Sequence, residues 1–228
     1  MTLDRTTVLA GIPDELRAFE EIVRPLDTEA LATPTRCAGW TIRDVAAHVV
    51  GTVVDVSQLQ LEGQGTPAVT HRQAQERAGR CGTELADELA SAGPALAALL
   101  ASLPEDGWEG PTLSDPSYTL GFSVEAMWFD AYLHGDDIRA ALALPSARGA
   151  GLRCAVHHVA GYLEHRGWGP ATLSLSGVEQ VDVGGGGAEI SGDPLEFVLA
   201  ATGRSDPTAL GLDPTINVYA DEADAPTR

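Results

Sequence analysis

Helical signals dominate the first two thirds of the chain. Apolar residues recur at helical spacing across residues 5–27, and a composition rich in Ala, Leu, Glu and Arg favours helix across residues 71–103. Two further helices are predicted over residues 41–61 and 122–142. Four helices of this length joined by loops predict a four-helix bundle, a fold whose interior commonly holds metal sites.

Proline and glycine mark the candidate break points in these helices. Pro13 lies near the beginning of the first helix, where its ring and missing N–H predict a break or a restart. In the third segment, Gly82 and the pair Gly93-Pro94 are the predicted interruptions.

The pattern changes after Pro145. The small-residue stretch 146–151 is the predicted domain boundary, so we expect a bundle over residues 1–146 and a small α+β domain over residues 147–228. Within the second domain, the run Gly184–Gly187 is predicted to form a hairpin turn. The other elements predicted there are helices over 152–165 and 193–201, a strand over 172–176 and a closing strand over 215–219.

His48 follows a well-marked helix start. Thr41 is a good N-cap, and Asp44, three residues later, can accept a hydrogen bond from the free N–H of the cap. Trp40 precedes the cap and is placed to pack on Val45 as a hydrophobic staple. The helix therefore positions a single imidazole about two turns from its start.

Charge and cysteine content exclude several classes of function. The 33 acidic and 14 basic residues give a formal net charge of −19, which disfavours binding to nucleic acid or anionic lipid. Three widely spaced cysteines indicate neither a disulfide framework nor a cysteine metal cluster. No apolar signal core or membrane-length apolar run is evident, so we expect a cytoplasmic protein.

Asp130 and His134 are the second chemical feature. Because they lie four residues apart on a predicted helix, their side chains leave the same face. With His48 they provide two imidazoles and a carboxylate, a three-ligand set suited to zinc or a similar divalent ion. Asp–His pairs at this spacing also form plain surface contacts, so the residues alone leave both interpretations open. The remaining histidines are interpreted as surface or core residues: His71, His157, His158 and His165.

Two stretches resemble one known family. The first is residues 33–41, TPTRCAGWT, continuing to Asp44 and His48; the second is Asp130 to His134, followed by DIRAAL at residues 137–142. Both are similar to motifs of the mycothiol-dependent maleylpyruvate isomerase family, which belongs to the DinB-like metalloenzyme superfamily. The family's usual glutamate ligand is Asp130 here. In the C-terminal half, ISGD at residues 190–193 and ATGR at residues 201–204 resemble the family's sterol-carrier-like second domain.

The resemblance implies a metal held by His48, Asp130 and His134, with zinc expected first, and mycothiol, an actinobacterial thiol, as cosubstrate or cofactor. A free thiol with a pKa of ~8.5 is mostly protonated at neutral pH, and a divalent cation deprotonates a thiol that it binds. The implied enzyme is an S-transferase or isomerase that acts on a small electrophile. By the same resemblance, Arg204 receives a substrate carboxylate, whereas Cys37 is assigned to packing.

Three alternatives stay open. A metal-activated water would make the protein a hydrolase or lyase without a thiol. A zinc-binding regulatory module of the anti-sigma type is disfavoured, because the cysteines are not closely spaced. A non-catalytic member that binds a ligand without turning it over is the third alternative. We expect a monomer or a homodimer, and the ligand set also suits nickel, iron or manganese.

Overall fold

The computed structural model describes residues 3–112, 116–213 and 216–219. Contacts divide the chain into two compact units, one comprising Leu3–Ala147 and the other beginning at Arg148. The protein is mostly helical with one small sheet, which confirms the predicted combination of α and α+β structure. None of the helices described combines the length and the apolar character that crossing a bilayer requires.

Among its described residues, the first unit contains six α-helices, and four of them are long. The helices are α1 (Arg5–Val23), α2 (Thr28–Leu31), α3 (Ile42–Ser57), α4 (Pro67–Glu76), α5 (Gly82–Ser102) and α6 (Leu120–Ala141). The long helices pack in a closed ring, in which α1 and α3 each contact both α5 and α6. The short helix α4 packs on α3. The segment predicted as one helix over residues 71–103 is therefore two helices, with the break just before Gly82.

Proline does not break the ring helices. Pro13 lies inside α1 and Pro94 inside α5, so the breaks predicted at these positions are wrong. An interior proline costs a helix about 3 kcal/mol, whereas each fully buried large apolar side chain contributes about 1.5–3 kcal/mol. Ile12 beside the first proline and Leu96 beside the second are almost completely buried. Burial of the flanking side chains thus outweighs the local cost.

The capping box predicted for α3 is present. The Thr41 N–H donates to Oδ2 of Asp44 at 2.9 Å, and the Asp44 N–H donates to Oγ1 of Thr41 at 3.4 Å. Helix α6 begins similarly, because the Thr119 hydroxyl accepts from the Phe122 N–H at 3.1 Å. These two caps define where the helices that carry His48 and its partners begin.

Among its described residues, the second unit contains two α-helices and a three-stranded sheet. These elements are α7 (Ala150–His165), β1 (Ala171–Leu175), β2 (Val181–Val183), β3 (Ala188–Gly192) and α8 (Pro194–Ala201). The strand order is β2-β1-β3, with β2 antiparallel and β3 parallel to β1. Helix α7 contacts both α8 and β2.

The glycine run does not form the predicted hairpin. Val183 and Ala188 both pair with Ala171 from opposite sides, so residues 184–187 cross the beginning of β1. Gly184, Gly185 and Gly186 have φ values of 61°, 83° and 82°, and a Cβ at Gly187 would overlap the Pro170 carbonyl oxygen. Glycine is required here because the chain turns tightly over another backbone.

The closing strand predicted over residues 215–219 is wrong for residues 216–219, whereas Thr215 lies outside the described residues. The Ile216 N–H donates to the Asp213 carbonyl, and the Val218 N–H donates to the Ala201 carbonyl at 2.8 Å. This segment therefore docks on the end of α8 instead of joining the sheet ladder.

Candidate metal centre

Three side chains identified in the sequence converge in the first unit. His48 projects from α3, whereas Asp130 and His134 lie one turn apart on α6, which contacts α3. Nε2 of His48 lies 3.5 Å from Oδ2 of Asp130, and Nε2 of His134 lies 3.3 Å from Oδ1 of the same carboxylate. The two imidazole rings are nearly perpendicular, with centroids 5.3 Å apart. A single carboxylate thus faces both histidines.

The spacing of these atoms fits a divalent metal. Zinc bonds to nitrogen and oxygen of about 2.0–2.1 Å place neighbouring donors of a tetrahedral site about 3.3–3.4 Å apart. The separations from the two Nε2 atoms, 3.3 Å to Oδ1 and 3.5 Å to Oδ2 of Asp130, are close to this value, and one donor atom from each of the three residues lies within 4.8 Å of the others. Asp130 therefore reaches both histidines despite its shorter side chain.

The other nitrogen of His48 faces a buried amide. Nδ1 lies 2.8 Å from Oε1 of Gln73, which is fully buried on α4. The Gln73 amide nitrogen donates to Oδ2 of Asp55 at 2.7 Å, and Arg72 donates to the same oxygen at 2.6 Å. Because Nδ1 is engaged with Gln73, Nε2 is the nitrogen of His48 available to a metal.

The other nitrogen of His134 faces a buried carboxylate. Nδ1 lies 3.1 Å from Oδ2 of Asp137, one helical turn further along α6. Arg36, in the loop before α3, donates to Asp137 at 3.1 Å and to Asp136 at 2.6 Å. Carboxylate–histidine–metal chains of this kind orient the ring and make it a better donor.

Electrostatics favour a charged centre. Burial opposes ionisation of Asp130, but the imidazoles of His134 and His48 outweigh it and lower the pKa of Asp130 far below its usual range. Burial likewise opposes the charged form of His134. Nevertheless, Asp130 and the hydrogen bonds to Asp130, Asp137 and Cys37 raise the pKa of His134 well above its usual range. The pocket thus stabilises positive charge beside the Asp130 carboxylate.

The sequence analysis gave no role to Asp137 or Gln73, and it assigned Cys37 to packing. Sγ of Cys37 lies 3.2 Å from Oδ2 of Asp137 and 3.9 Å from Nδ1 of His134, so this thiol contacts the residues behind the centre. The spacing of His134 and Asp137, three residues apart on a helix, is a local signal that could have identified Asp137. Gln73 carries no such signal, because it meets His48 across two helices.

The remaining sequence candidates do not belong to this donor set. The Trp40 ring lies 5.9 Å from that of His48 and 5.8 Å from that of His71, whereas its predicted contact with Val45 stays a prediction. Arg204 belongs to the second unit, where its Nη1 donates to the Thr202 carbonyl at 3.3 Å.

The other histidine pair belongs to the second unit as well. His157 and His158 are both buried on α7, and Nε2 of His157 lies 2.9 Å from Glu179. Burial of this pair agrees with the interpretation of these histidines as core residues.

A ring of helices that presents two imidazoles and a carboxylate at metal-ligand spacing defines a candidate helical metalloenzyme. Comparison with family models gives a match to the mycothiol maleylpyruvate isomerase N-terminal domain over residues 12–139, more than half of the chain. The chain belongs to the mycothiol maleylpyruvate isomerase family. This finding confirms the family predicted from the sequence and, with it, an isomerase-like enzyme.

Solved structures agree with this assignment at the level of fold. A mutant of the mycothiol-dependent maleylpyruvate isomerase superposes with a TM-score of 0.61, and another structure of the mycothiol-dependent maleylpyruvate isomerase with a TM-score of 0.59. Each is 15% identical in sequence, and each match covers 94% of this chain and 98% of the other. The comparison with curated proteins gave no match.

Proposed function

We propose that this protein is a metal-dependent, mycothiol-dependent isomerase or S-transferase that acts on a small electrophile. His48, Asp130 and His134 would hold the metal, with zinc as the first candidate. The observation that carries the proposal is the spacing of their donor atoms, 3.3 and 3.5 Å around one carboxylate. We interpret the helical ring as a DinB-like four-helix bundle and the second unit as a sterol-carrier-like domain.

The proposed chemistry needs a thiolate at neutral pH. When bound, a divalent metal would lower the pKa of a coordinated thiol and orient its sulfur towards the electrophile. The chain's own contribution is to hold the donor set: Asp130 supplies the negative charge, and His48 and His134 each present Nε2. Gln73 and Asp137 occupy the opposite nitrogens and so orient the two rings.

A second group of donor atoms lies nearby and is the weaker metal site. Cys37, His134 and Asp137 also bring donor atoms within 4.8 Å of one another. The guanidinium of Arg36 already lies 3.1 Å from Asp137, so a cation there would meet an existing positive charge. We therefore assign the metal to the Asp130 side of His134 and an orienting role to Asp137.

Arg204 is proposed to receive a substrate carboxylate. A chain with a net charge of −19 disfavours an anionic substrate unless a local cation receives it. A guanidinium can hold a carboxylate through two parallel hydrogen bonds, which suits this role. We also propose a cytoplasmic enzyme that acts as a monomer or a homodimer.

Metal analysis tests the assignment directly. We expect about one divalent ion per wild-type chain. His48→Ala should lose most of the metal while its helical content stays near that of the wild type. Cys37→Ser is the matched control, because it alters the second donor group and should keep its metal. Full occupancy in His48→Ala would contradict the assignment.

A thiol assay tests the reaction. The protein is incubated with mycothiol and maleylpyruvate, the substrate in the relatives' name, and then with a generic electrophile. We expect mycothiol-dependent isomerisation or an S-adduct. Turnover that needs the metal but not the thiol would favour a hydrolase or lyase. Binding without turnover would favour a non-catalytic member.

A further inference from the structure

Helix α4 supplies a buried polar chain to the candidate centre, although it is not one of the four ring helices. Gln73 on α4 is fully buried, and Asp55 on α3 is 3% exposed. The chain runs from Nδ1 of His48 to Oε1 of Gln73 at 2.8 Å, and from Nε2 of Gln73 to Oδ2 of Asp55 at 2.7 Å. A short helix thus connects a predicted metal ligand to a buried acid.

The chemistry of these groups fixes which atom donates and which accepts in each hydrogen bond from His48 through Gln73 to Asp55. Burial opposes ionisation of Asp55, but hydrogen bonds from Gln73, Arg72 and Gln64 outweigh it and lower the pKa of Asp55. An ionised carboxylate can only accept hydrogen bonds, so the amide nitrogen of Gln73 must face Asp55. The amide oxygen then faces His48, and an oxygen acceptor requires a proton on Nδ1.

We propose that Gln73 and Asp55 are positioning residues that set the tautomer of His48. With the proton held on Nδ1, the lone pair of Nε2 points towards Asp130, where a metal would bind. This inference rests on the proposed function and deepens it: the metal affinity of His48 depends on an acid that the histidine does not touch.

The packing around Gln73 supports a positioning role. Gly51 on α3 allows the Gln73 stem to approach, because a Cβ there would lie 2.5 Å from Cβ of Gln73. Arg77 donates to the Gln73 carbonyl at 3.1 Å and pairs with Glu88 on α5 through two bonds of 3.0 Å. Gln73 is therefore held at both its backbone and its side chain.

Asp55→Asn tests the order of donors and acceptors in these hydrogen bonds, because it changes the side chain of residue 55 little in shape. An asparagine can donate as well as accept, so the Gln73 amide is free to turn and offer its nitrogen to His48. The proton then moves to Nε2 and competes with the metal. We expect the zinc affinity, measured by chelator competition, to fall about 10–100-fold, the range for loss of an orienting partner. The visible spectrum of the cobalt(II)-loaded protein should change with it.

A second substitution, at Gln73, should restore an acceptor opposite Nδ1 of His48. Gln73→Glu alone places two carboxylates together and should weaken zinc binding. In the double variant Asp55→Asn with Gln73→Glu, the asparagine amide donates to the new carboxylate, which still accepts from Nδ1 of His48. We expect zinc affinity to return to within about threefold of the wild type, because the side chain of residue 73 again presents only an acceptor to Nδ1 of His48. If these two side chains served only to fill space, exchanging the acid and the amide between them would restore nothing.

Arg72→Lys is the matched control, since it alters the side chain that lies 2.6 Å from Asp55 but keeps a cation beside it, so the carboxylate stays an acceptor. Its zinc affinity should stay near that of the wild type. Wild-type affinity in Asp55→Asn, or no recovery in the double variant, would overturn this inference while leaving the proposed metal centre intact. A wild-type protein that binds no zinc, nickel, iron or manganese would overturn both.

Discussion

Nδ1 of His134 lies 3.1 Å from Oδ2 of Asp137, so the second imidazole of the centre is oriented by a buried carboxylate. The first imidazole, that of His48, is oriented by the neutral amide of Gln73. Carboxylate and amide partners polarise an imidazole to different degrees. The two histidines are therefore inequivalent donors, although both face Asp130.

Asp137→Asn should lower metal affinity about 10–100-fold by weakening the partner of His134. Asp136→Asn is the control: Asp136 pairs with the same arginine at 2.6 Å, but residues two apart on a helix do not face each other. Chelator competition on both variants measures the difference. Equal losses would show that the arginine pairing, and not the contact with His134, matters.

Asp130→Glu should keep the metal, because it restores the family's usual ligand, and we expect tighter binding. Asp130→Ala should lose the metal, because both histidines lose the carboxylate that lies 3.3 and 3.5 Å from them. Titration of each variant with zinc and a competing chelator measures the affinities. Identical affinities for the alanine and glutamate variants would remove Asp130 from the ligand set.

Gly51→Ala should weaken metal binding from a position outside the centre. The new methyl would lie 2.5 and 2.7 Å from two Gln73 carbons, so α4 must shift. Overpacking of this kind costs about 1–3 kcal/mol, more than the ~1 kcal/mol that alanine gains in helix propensity. Gly93→Ala on α5 meets no atoms beyond its neighbours within 4 Å, so it should stabilise the protein by up to ~1 kcal/mol and leave zinc binding unchanged. Urea unfolding and zinc titration of both variants check the prediction.

Arg204→Lys should weaken turnover of an acidic substrate and leave metal content nearly unchanged. A lysine does not reproduce a two-point guanidinium–carboxylate contact, and losing a buried, charge-paired contact costs about 2–5 kcal/mol. The measurement is the specificity constant on one carboxylate substrate and on its neutral amide. An equal loss on both would assign Arg204 to the fold or to the thiol.

Glu179 should make the second unit sensitive to acid. The Nε–H of Arg153 donates to both carboxylate oxygens of Glu179, at 2.7 and 2.8 Å, and the hydrogen bonding from Arg153 is the main cause that lowers the pKa of Glu179 from 4.5 to about 2. Because the folded pKa is the lower one, the stability it contributes is present above pH 4.5 and is lost as the pH falls towards 2.

Glu179→Gln should therefore flatten the decline of the unfolding free energy between pH 4.5 and 2. Circular dichroism during urea unfolding at several pH values measures this slope. Glu189→Gln, at an exposed strand position of the same unit, is the control. A steep decline that survives in Glu179→Gln would show that other groups govern acid unfolding.

Local signals in the sequence were sufficient for the helices that carry the candidate centre. The Thr41 cap acts within a few residues, and the Asp130–His134 spacing is a property of a single helix. Packing between residues that are far apart in the sequence could not be predicted from these local signals. Pro13 and Pro94 are accommodated because the side chains beside them are buried, and burial depends on helices far away in the sequence.

Dependence on long-range packing also explains why the strand order and the buried hydrogen bonds from His48 to Gln73 and Asp55 were not predicted. A glycine run favours a turn, but the order β2-β1-β3 depends on what the turn must cross, namely the beginning of β1 at Pro170. Gln73 meets His48 only when α4 packs on α3, 25 residues away. A glutamine on a short polar helix gives no sign of this role.

Because α4 lies outside the ring of long helices, the proposed metal site can weaken while the ring stays folded. Helix α4 is ten residues long and rests on α3, whereas the four long helices close on one another through apolar side chains. Short peripheral elements open more readily than a packed core. On heating or in denaturant, Gln73 would leave His48 first, so the proposed centre would bind a metal more weakly while most of the helices remain folded.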